Sequence, residues 1–263
     1  GQRQMTTAKD WAVYVALSRA GLEPELVPGP AVVDYVLCLD YDDAADECTS
    51  SPPAADFLRD DDVIVEAAGF AIVSLEDLQG VTADRRPGDE IELTVERGDE
   101  TLTATVELIA APDDPERAII GFMPIDTTTL RLPDGVTIGI DTGSIGGPSA
   151  GLAFTLSLID VLTAGDLTGG VKVGVTGTIR VDGTVGAIGG LSSKASAVQQ
   201  VGARYMLVPA GQPDTGSDSI AAAQAVVGDD VELIPVATLE EALEVLARLG
   251  GDPLIAPGEL AST

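Results

Sequence analysis

The sequence predicts an α/β (α+β) chain of two domains, one β-rich and one in which strands and helices alternate. Three observations carry this expectation. Between residues 31 and 110 short apolar runs, several alternating with polar residues at a strand's period of two, are separated by turn residues. From residue 118 onward strand-like runs alternate with longer helical ones, the pattern of α/β architecture. The Pro-rich stretches LEPELVPGP and APDDPER punctuate the chain between these blocks. The expected organisation is an N-terminal helix and linker over 1–28, the β-rich domain over 29–111, the α/β domain over 112–250 and a flexible tail over 251–263.

The elements follow in order. TTAKDWAVYVALSRA (6–20) reads as a short amphipathic helix with Thr7 as N-cap and Trp11, Tyr14 and Val15 on one side. AVVDYVLCL and DVIVEAAG are strand-like, and SSPPAADFL between them is a turn leading into a short helical piece. SLEDLQGVTA is a helix. A hairpin follows, with Ile91, Leu93 and Val95 alternating on one arm and a turn at Gly98-Asp99. In the second domain VTIGI reads as strand, SAGLAFTLSLIDVLT as helix and VKVGVTGTI as strand. Asp182-Gly183 turns the chain into TVGAI, and LSSKASAVQQVG is a helix. The end alternates YMLVP, a helix near 220–227, VELIPV and a helix over 239–249.

The composition excludes several classes of function. The 263 residues are 45% apolar, enough to bury a core, but only 3% aromatic, so the core is aliphatic. A net charge of −29 argues against nucleic acid and against anionic membrane surfaces, and favours basic peptides or cations. No apolar run reaches the length that spans a bilayer, and GQRQMTTAKD lacks the apolar core of a signal peptide. Cys38 and Cys48 are the only cysteines; they stay two thiols, or close the acidic loop LDYDDAADE as a disulfide in an oxidising compartment. There are no histidines, so two cysteines cannot be completed into a zinc site, and Ser-His-Asp, Cys-His and HExxH chemistries are excluded together; no cofactor or metal is expected.

DTGSIGGPSAGLAFTLSLID contains a Gly-x-Ser-x-Gly pattern around Ser149. Ser149 either caps the helix that follows or is a nucleophile beside free backbone amides able to hold an oxyanion. Those amides would come from Gly146, Gly147, Ser149 and Ala150, because Pro148 has none. A nucleophilic serine needs a base, and only Lys9, Lys172 and Lys194 offer an amine. Lys9 lies ahead of both domains, and Lys172 begins a strand. Lys194 lies in a stretch with no other charge from 183 to 203, on an exposed helix face or buried as a base. A solvated lysine has a pKa of about 10.4, whereas a serviceable base needs roughly 7–8. Burial among small apolar residues can supply the difference, about 4 kcal/mol.

Two resemblances join these signals. SPPAA, Leu58, DVI (62–64), Gly69 and GDEIELTVER (88–97) resemble a bacterial, protease-associated PDZ domain. Asp61 stands where that family usually has glycine, Ala68-Gly69 where it has Asn-Gly, and the Cys38–Cys48 loop is an insertion. GGPSAG, followed by TGTI, an Asp-Gly turn, GAIGGLSSK and GARYMLVPA, resembles the Lon-type serine-lysine peptidase domain over 135–249. That resemblance implies Ser149 as nucleophile, Lys194 as general base and Thr176 as the residue orienting the lysine. Gly146 replaces an aspartate of Lon proper, and the lysine helix is poorer in charge than usual.

Together the two domains resemble the membrane-anchored YlbL-like family of Gram-positive bacteria. This implies a serine endopeptidase cleaving polypeptides, with the PDZ-like domain taking a peptide of substrate or partner. No P-loop occurs in the sequence, so no nucleotide is expected. The alternative is a catalytically silent PDZ-Lon scaffold. The resemblance also implies an extracytoplasmic location through a transmembrane helix upstream of Gly1, and assembly into homo-oligomers.

Overall fold

The computed structural model describes residues 2–112, 114–140 and 147–254. Helix α1 (Gln2–Arg19) and strand β1 (Glu25–Val27) open the chain. Two compact units follow from the packing, one formed by 1–25 with 130–263 and one by 26–129.

The 26–129 unit holds β2 (Ala31–Val36), the exposed hairpin β3 (Asp40–Asp42) and β4 (Glu47–Ser50), β5 (Val63–Ala67) and β6 (Phe70–Ala71). Cys38 and Cys48 are joined in a disulfide across the base of the β3–β4 hairpin. Helix α2 (Leu75–Ala83) is capped by Ser74, whose hydroxyl accepts from the Asp77 amide at 3.1 Å. Then come β7 (Glu90–Arg97), β8 (Glu100–Glu107), β9 (Ile109–Ala111), β10 (Asp114–Ile119) and β11 (Phe122–Asp126). The sheet order is β11-β2-β5-β7-β8, with β6 on β5. Ile91, Leu93 and Val95 face inward as their alternation predicts, against Ile64, Leu58 and Leu78.

Two expectations fail here. The stretch 111–117 is not a linker, because most of it belongs to the β9–β10 hairpin. The β-rich unit does not end at 111 either. Ala118, Ile120 and Phe122 are buried in its core, and β11 pairs antiparallel with β2. The last strand thus lies beside the first long one, a pairing that local pattern cannot reveal.

β12 (Thr129–Arg131) pairs with β1. Beyond it the chain builds a parallel sheet from β13 (Val173–Val175), β16 (Tyr205–Pro209) and β17 (Glu232–Val236), in that order. Both faces are covered, as a parallel sheet requires. Val173, Val175, Leu207 and Val236 pack with α1, α3 (Gly151–Leu162) and α6 (Leu239–Leu249). Met206, Val208 and Leu233 pack with α4 (Leu191–Gln200) and α5 (Ile220–Val227). A small hairpin, β14 (Thr178–Ile179) with β15 (Val185–Gly186), follows β13 through the expected turn at Gly183.

Three readings change in this unit. VTIGI (136–140) forms no strand. VKVGVTGTI is not one strand but two, broken at Thr176-Gly177. Thr7 is no N-cap, since α1 is already helical from Gln2. Trp11, Tyr14 and Val15 do face the core, but the helix is no separate leader. Its Ala12, Ala16 and Leu17 are fully buried, and it packs on α3.

Candidate functional site

Ser149 sits in a single 3-10 turn, Pro148–Ala150, that leads directly into α3. Pro148 at the first position fixes φ and lacks an N–H that the turn could not use. Gly147 precedes it with φ +90°, a left-handed geometry that favours glycine. Ser149 does not cap α3 through its side chain, so its hydroxyl is not spent in that way. The turn is fastened through its backbone. The Ser149 carbonyl accepts from the Gly177 amide at 2.9 Å and from the Thr176 hydroxyl at 3.1 Å, while the Leu152 amide donates to the Gly177 carbonyl at 3.0 Å.

These partners lie where β13 ends. The Thr176 amide still donates to the Leu207 carbonyl of β16 at 3.1 Å, extending the parallel ladder by one residue. Gly177 then breaks the strand with φ +152°, and a Cβ there would strike Val185 at 2.7 Å. The site therefore stands at the carboxyl end of a parallel strand, the usual end for ligands in open α/β sheets.

Lys194 reaches the same end through α4. A Cβ built on Gly174 of β13 would lie 2.5 Å from Val198, so the helix presses directly on the strand there. α4 connects β13 to the parallel β16 and so runs back against the strands. Lys194 is one helical turn before Val198, about 6 Å along the axis. Thr176 is two residues beyond Gly174, about 6.6 Å along the strand. Counted along these elements, Lys194 lies toward the same end of the sheet as Thr176.

The expected sealing of Lys194 is only partial. Its side chain is half-buried, and its ammonium donates to the Gly189 carbonyl at 2.7 Å. Thr176 is 4% exposed, and the hydrogen of its hydroxyl goes to Ser149 rather than being spent on the lysine. Its oxygen keeps lone pairs that can accept from an ammonium. Among the oxyanion donors expected, Gly147 precedes the turn, Ala150 follows Ser149 within it, and Gly146 lies outside the described residues.

Two residues that the sequence reading missed brace the lysine helix. Asp218 accepts from the Gly190 and Leu191 amides at 2.8 and 3.2 Å, placing a carboxylate on the positive end of α4. Buried Gln212 pairs both ways with the Ile188 backbone, at 2.7 and 3.0 Å, and donates to the Asp218 carbonyl at 2.9 Å. Nothing in the sequence marks them, because the Ile188, Gly190 and Leu191 groups they hold are more than twenty residues away.

The 26–129 unit carries its own concavity of about 610 Å³. Leu75, Leu78 and Thr82 of α2 face Ile119, Phe122 and Met123 of β10 and β11 across it. β11 is the end strand of its sheet, so the groove offers a strand edge beside a helix, the arrangement that accepts an added peptide strand. Asp61 and Ala68, the positions that depart from the PDZ pattern, do not line it.

Residues 126–248 match the family model of the Lon protease (S16) C-terminal proteolytic domain, and residues 45–108 match that of the PDZ domain. The Lon protease of Xanthomonas oryzae is 30% identical over 146 residues, which are 56% of this chain and 16% of that protein. Lon protease 1 of Sorangium cellulosum is 28% identical over 219 residues, 76% of this chain and 26% of that protein. The chain thus spans a minor part of the length of these relatives. Among solved structures, the PDZ domain of an SdrC-like protein from Listeria monocytogenes is 22% identical with a TM-score of 0.30, covering 38% of this chain and 93% of that one.

Proposed function

We propose, from a chain that joins a PDZ domain to a Lon-type proteolytic domain, that it is a serine endopeptidase using a Ser149–Lys194 dyad without nucleotide. The observation that carries the reading is the fastening of the serine turn. Thr176 and Gly177 hold the Ser149 carbonyl at the end of β13, which supports a fixed position for the serine.

In this mechanism the substrate lies extended along the segment before Ser149 and covers the amine of Lys194. Loss of water favours its uncharged form. Lys194 takes the hydroxyl proton as the Ser149 oxygen attacks the scissile carbonyl, and the amides of the turn hold the oxyanion. The ammonium returns that proton to the leaving amine. Water, deprotonated by the same lysine, then releases the acyl group and regenerates Ser149. Thr176 acts as a positioning residue, through its bond to the serine turn and by accepting from the lysine. To reach the hydroxyl, the ammonium gives up its bond to the Gly189 carbonyl.

That bond also favours the second reading, a silent PDZ-Lon scaffold in which the lysine stays parked. Purified Ser149→Ala and Lys194→Ala variants decide between them. The dyad predicts loss of peptide cleavage by at least ~10³-fold in each, with unchanged melting temperatures and no added nucleotide in any assay. It also predicts labelling of Ser149 by a fluorophosphonate. Cleavage retained in either variant sinks the dyad, and a native chain that neither cleaves nor labels supports the scaffold.

The groove between α2 and β11 is the proposed seat for a peptide of substrate or partner. The Cys38–Cys48 disulfide supports an extracytoplasmic location, where such bonds persist.

A further inference from the structure

Lys194 rests on two consecutive glycines. Its ammonium donates to the Gly189 carbonyl at 2.7 Å, and its backbone amide donates to the Gly190 carbonyl at 3.1 Å. Glycine is the residue least able to hold a backbone direction by itself. Gly190 has φ +71°, in the left-handed region. The order of this turn comes from the segment 212–218, between β16 and α5. That segment holds both peptide units that meet at Gly189. In the first, the Ile188 carbonyl accepts from the Gln212 side-chain amide at 3.0 Å. In the second, the Gly190 amide donates to the Asp218 carboxylate at 2.8 Å. A trans peptide is planar, and its C=O points opposite to its N–H. Anchoring the Gly190 amide on Asp218 therefore sets the direction of the Gly189 carbonyl, the acceptor of the ammonium. The Leu191 amide donates to the same carboxylate oxygen at 3.2 Å, and the Ser192 hydroxyl donates to the Ser217 carbonyl at 2.8 Å.

We propose that Asp218 and Gln212 are positioning residues of the peptidase, holding the Gly189–Gly190 turn on which both the backbone and the ammonium of Lys194 rest. The inference rests on the peptidase reading of Ser149 and Lys194. Neither side chain acts on the reacting atoms; each acts through the backbone of 188–191. The Asp218 bond is of the charge-assisted kind, stronger than a neutral one. Gln212 is 7% exposed and commits its whole amide to the task. Its oxygen accepts from the Ile188 amide at 2.7 Å, and its nitrogen also donates to the Asp218 carbonyl at 2.9 Å, which ties the two residues into one bracket. With the turn fixed, the lysine moves to the serine hydroxyl by rotating its own side chain from one defined start. With the turn loose, the backbone that carries the lysine and the carbonyl that holds it both wander, and the reactive geometry is met less often.

The test uses the full chain. Asp218→Ala removes the acceptor from a half-buried position, whereas Asp218→Asn keeps an oxygen for the two amides without the charge. Rates are taken per serine labelled by fluorophosphonate, so that misfolded chains do not count. For Asp218→Ala the expected result is a fall in kcat of about tenfold with KM within about twofold, and faster amide exchange at Gly190 and Leu191. Asp218→Asn should restore most of the rate and the protection. Gln212→Met should lower kcat in the same way; if its burial makes that variant unfold, the Asp218 pair decides. Native kcat in Asp218→Ala would overturn the proposal, as would an equal loss in Asp218→Asn. A native chain that neither cleaves nor labels brings down the peptidase reading. The ε-methylene NMR signal of Lys194, one of three lysines and assigned by its absence from Lys194→Arg, then decides whether the bracket holds the lysine. Two distinct proton shifts that merge in Asp218→Ala support it, and a signal unchanged by the substitution refutes it.

Discussion

At the scale of single residues, the departures from the PDZ pattern have a conformational meaning. Asp61 and Ala68 both adopt left-handed backbone, with φ +66° and +51°. Ala68 and Gly69 form the two-residue turn between β5 and β6, where Ala67 pairs with Phe70. Both turn residues have positive φ, as a type I′ turn demands, and Asn-Gly is the preferred pair there. Alanine gains nothing from that geometry, whereas asparagine tolerates it. Ala68→Asn should therefore stabilise the 26–129 unit by about 1 kcal/mol. Thermal melting of the two chains should differ by a few degrees in that unit's transition, and a lower midpoint for the variant would contradict the assignment.

At the scale of elements, the junction of β5 and β7 is locked by a buried ion pair. Asp62 is fully buried, and Arg97 reaches it with two bonds of 2.7 Å, while the Arg59 amide adds a third at 2.8 Å. Burial pushes the Asp62 carboxyl up, but the Arg97 hydrogen bonds, the Arg59 amide and both guanidinium charges outweigh it and hold the group below the usual carboxylate range. A carboxyl depressed in the folded state stabilises above its unfolded value and loses that contribution as pH falls through the folded one. The native unit should thus keep this term at neutral pH and lose it only in strong acid. Arg97→Met strands a buried carboxylate, at a cost of about 3 kcal/mol, the low end for such pairs because Arg97 is itself 36% exposed. In the variant the carboxyl protonates more readily, so the stability gap to the native chain should narrow on acidification. Denaturant titrations at neutral and acid pH measure it; a constant gap would show that the pair carries no pH-dependent term.

At the scale of the whole molecule, the disulfide bears on the proposed extracytoplasmic location. The disulfide closes a hairpin dense in aspartate, and the chain carries −29 overall. If the protein works outside the reducing cytosol, acid-trapped extracts of intact cells should show Cys38 and Cys48 fully oxidised. A maleimide added after reduction should then be the only one to react. Thiols found free in freshly trapped cells would refute the placement. The groove lies within 26–129 and the serine turn within 130–263.

Sequence by itself determined what depends on neighbours in the chain. Alternation over 90–97 specified the inward face of β7, SLEDLQGVTA marked out α2, and the absence of histidine excluded imidazole chemistry. The two stretches GGPSAG and GGLSSK were paired in the sequence by their resemblance to the Lon-type domain, each motif being local. Tertiary structure decided what depends on distant pairing. β11 joined β2 across the unit, Thr176 turned its hydroxyl to the serine carbonyl, and Asp218 and Gln212 came to brace α4. The largest revision is α1: read as an N-terminal helix and linker ahead of both domains, it packs into the unit of 130–263 and brings Lys9 to Ile140, 131 residues away. Local periodicity can show that a helix has an apolar face; only the packed chain shows what that face is for.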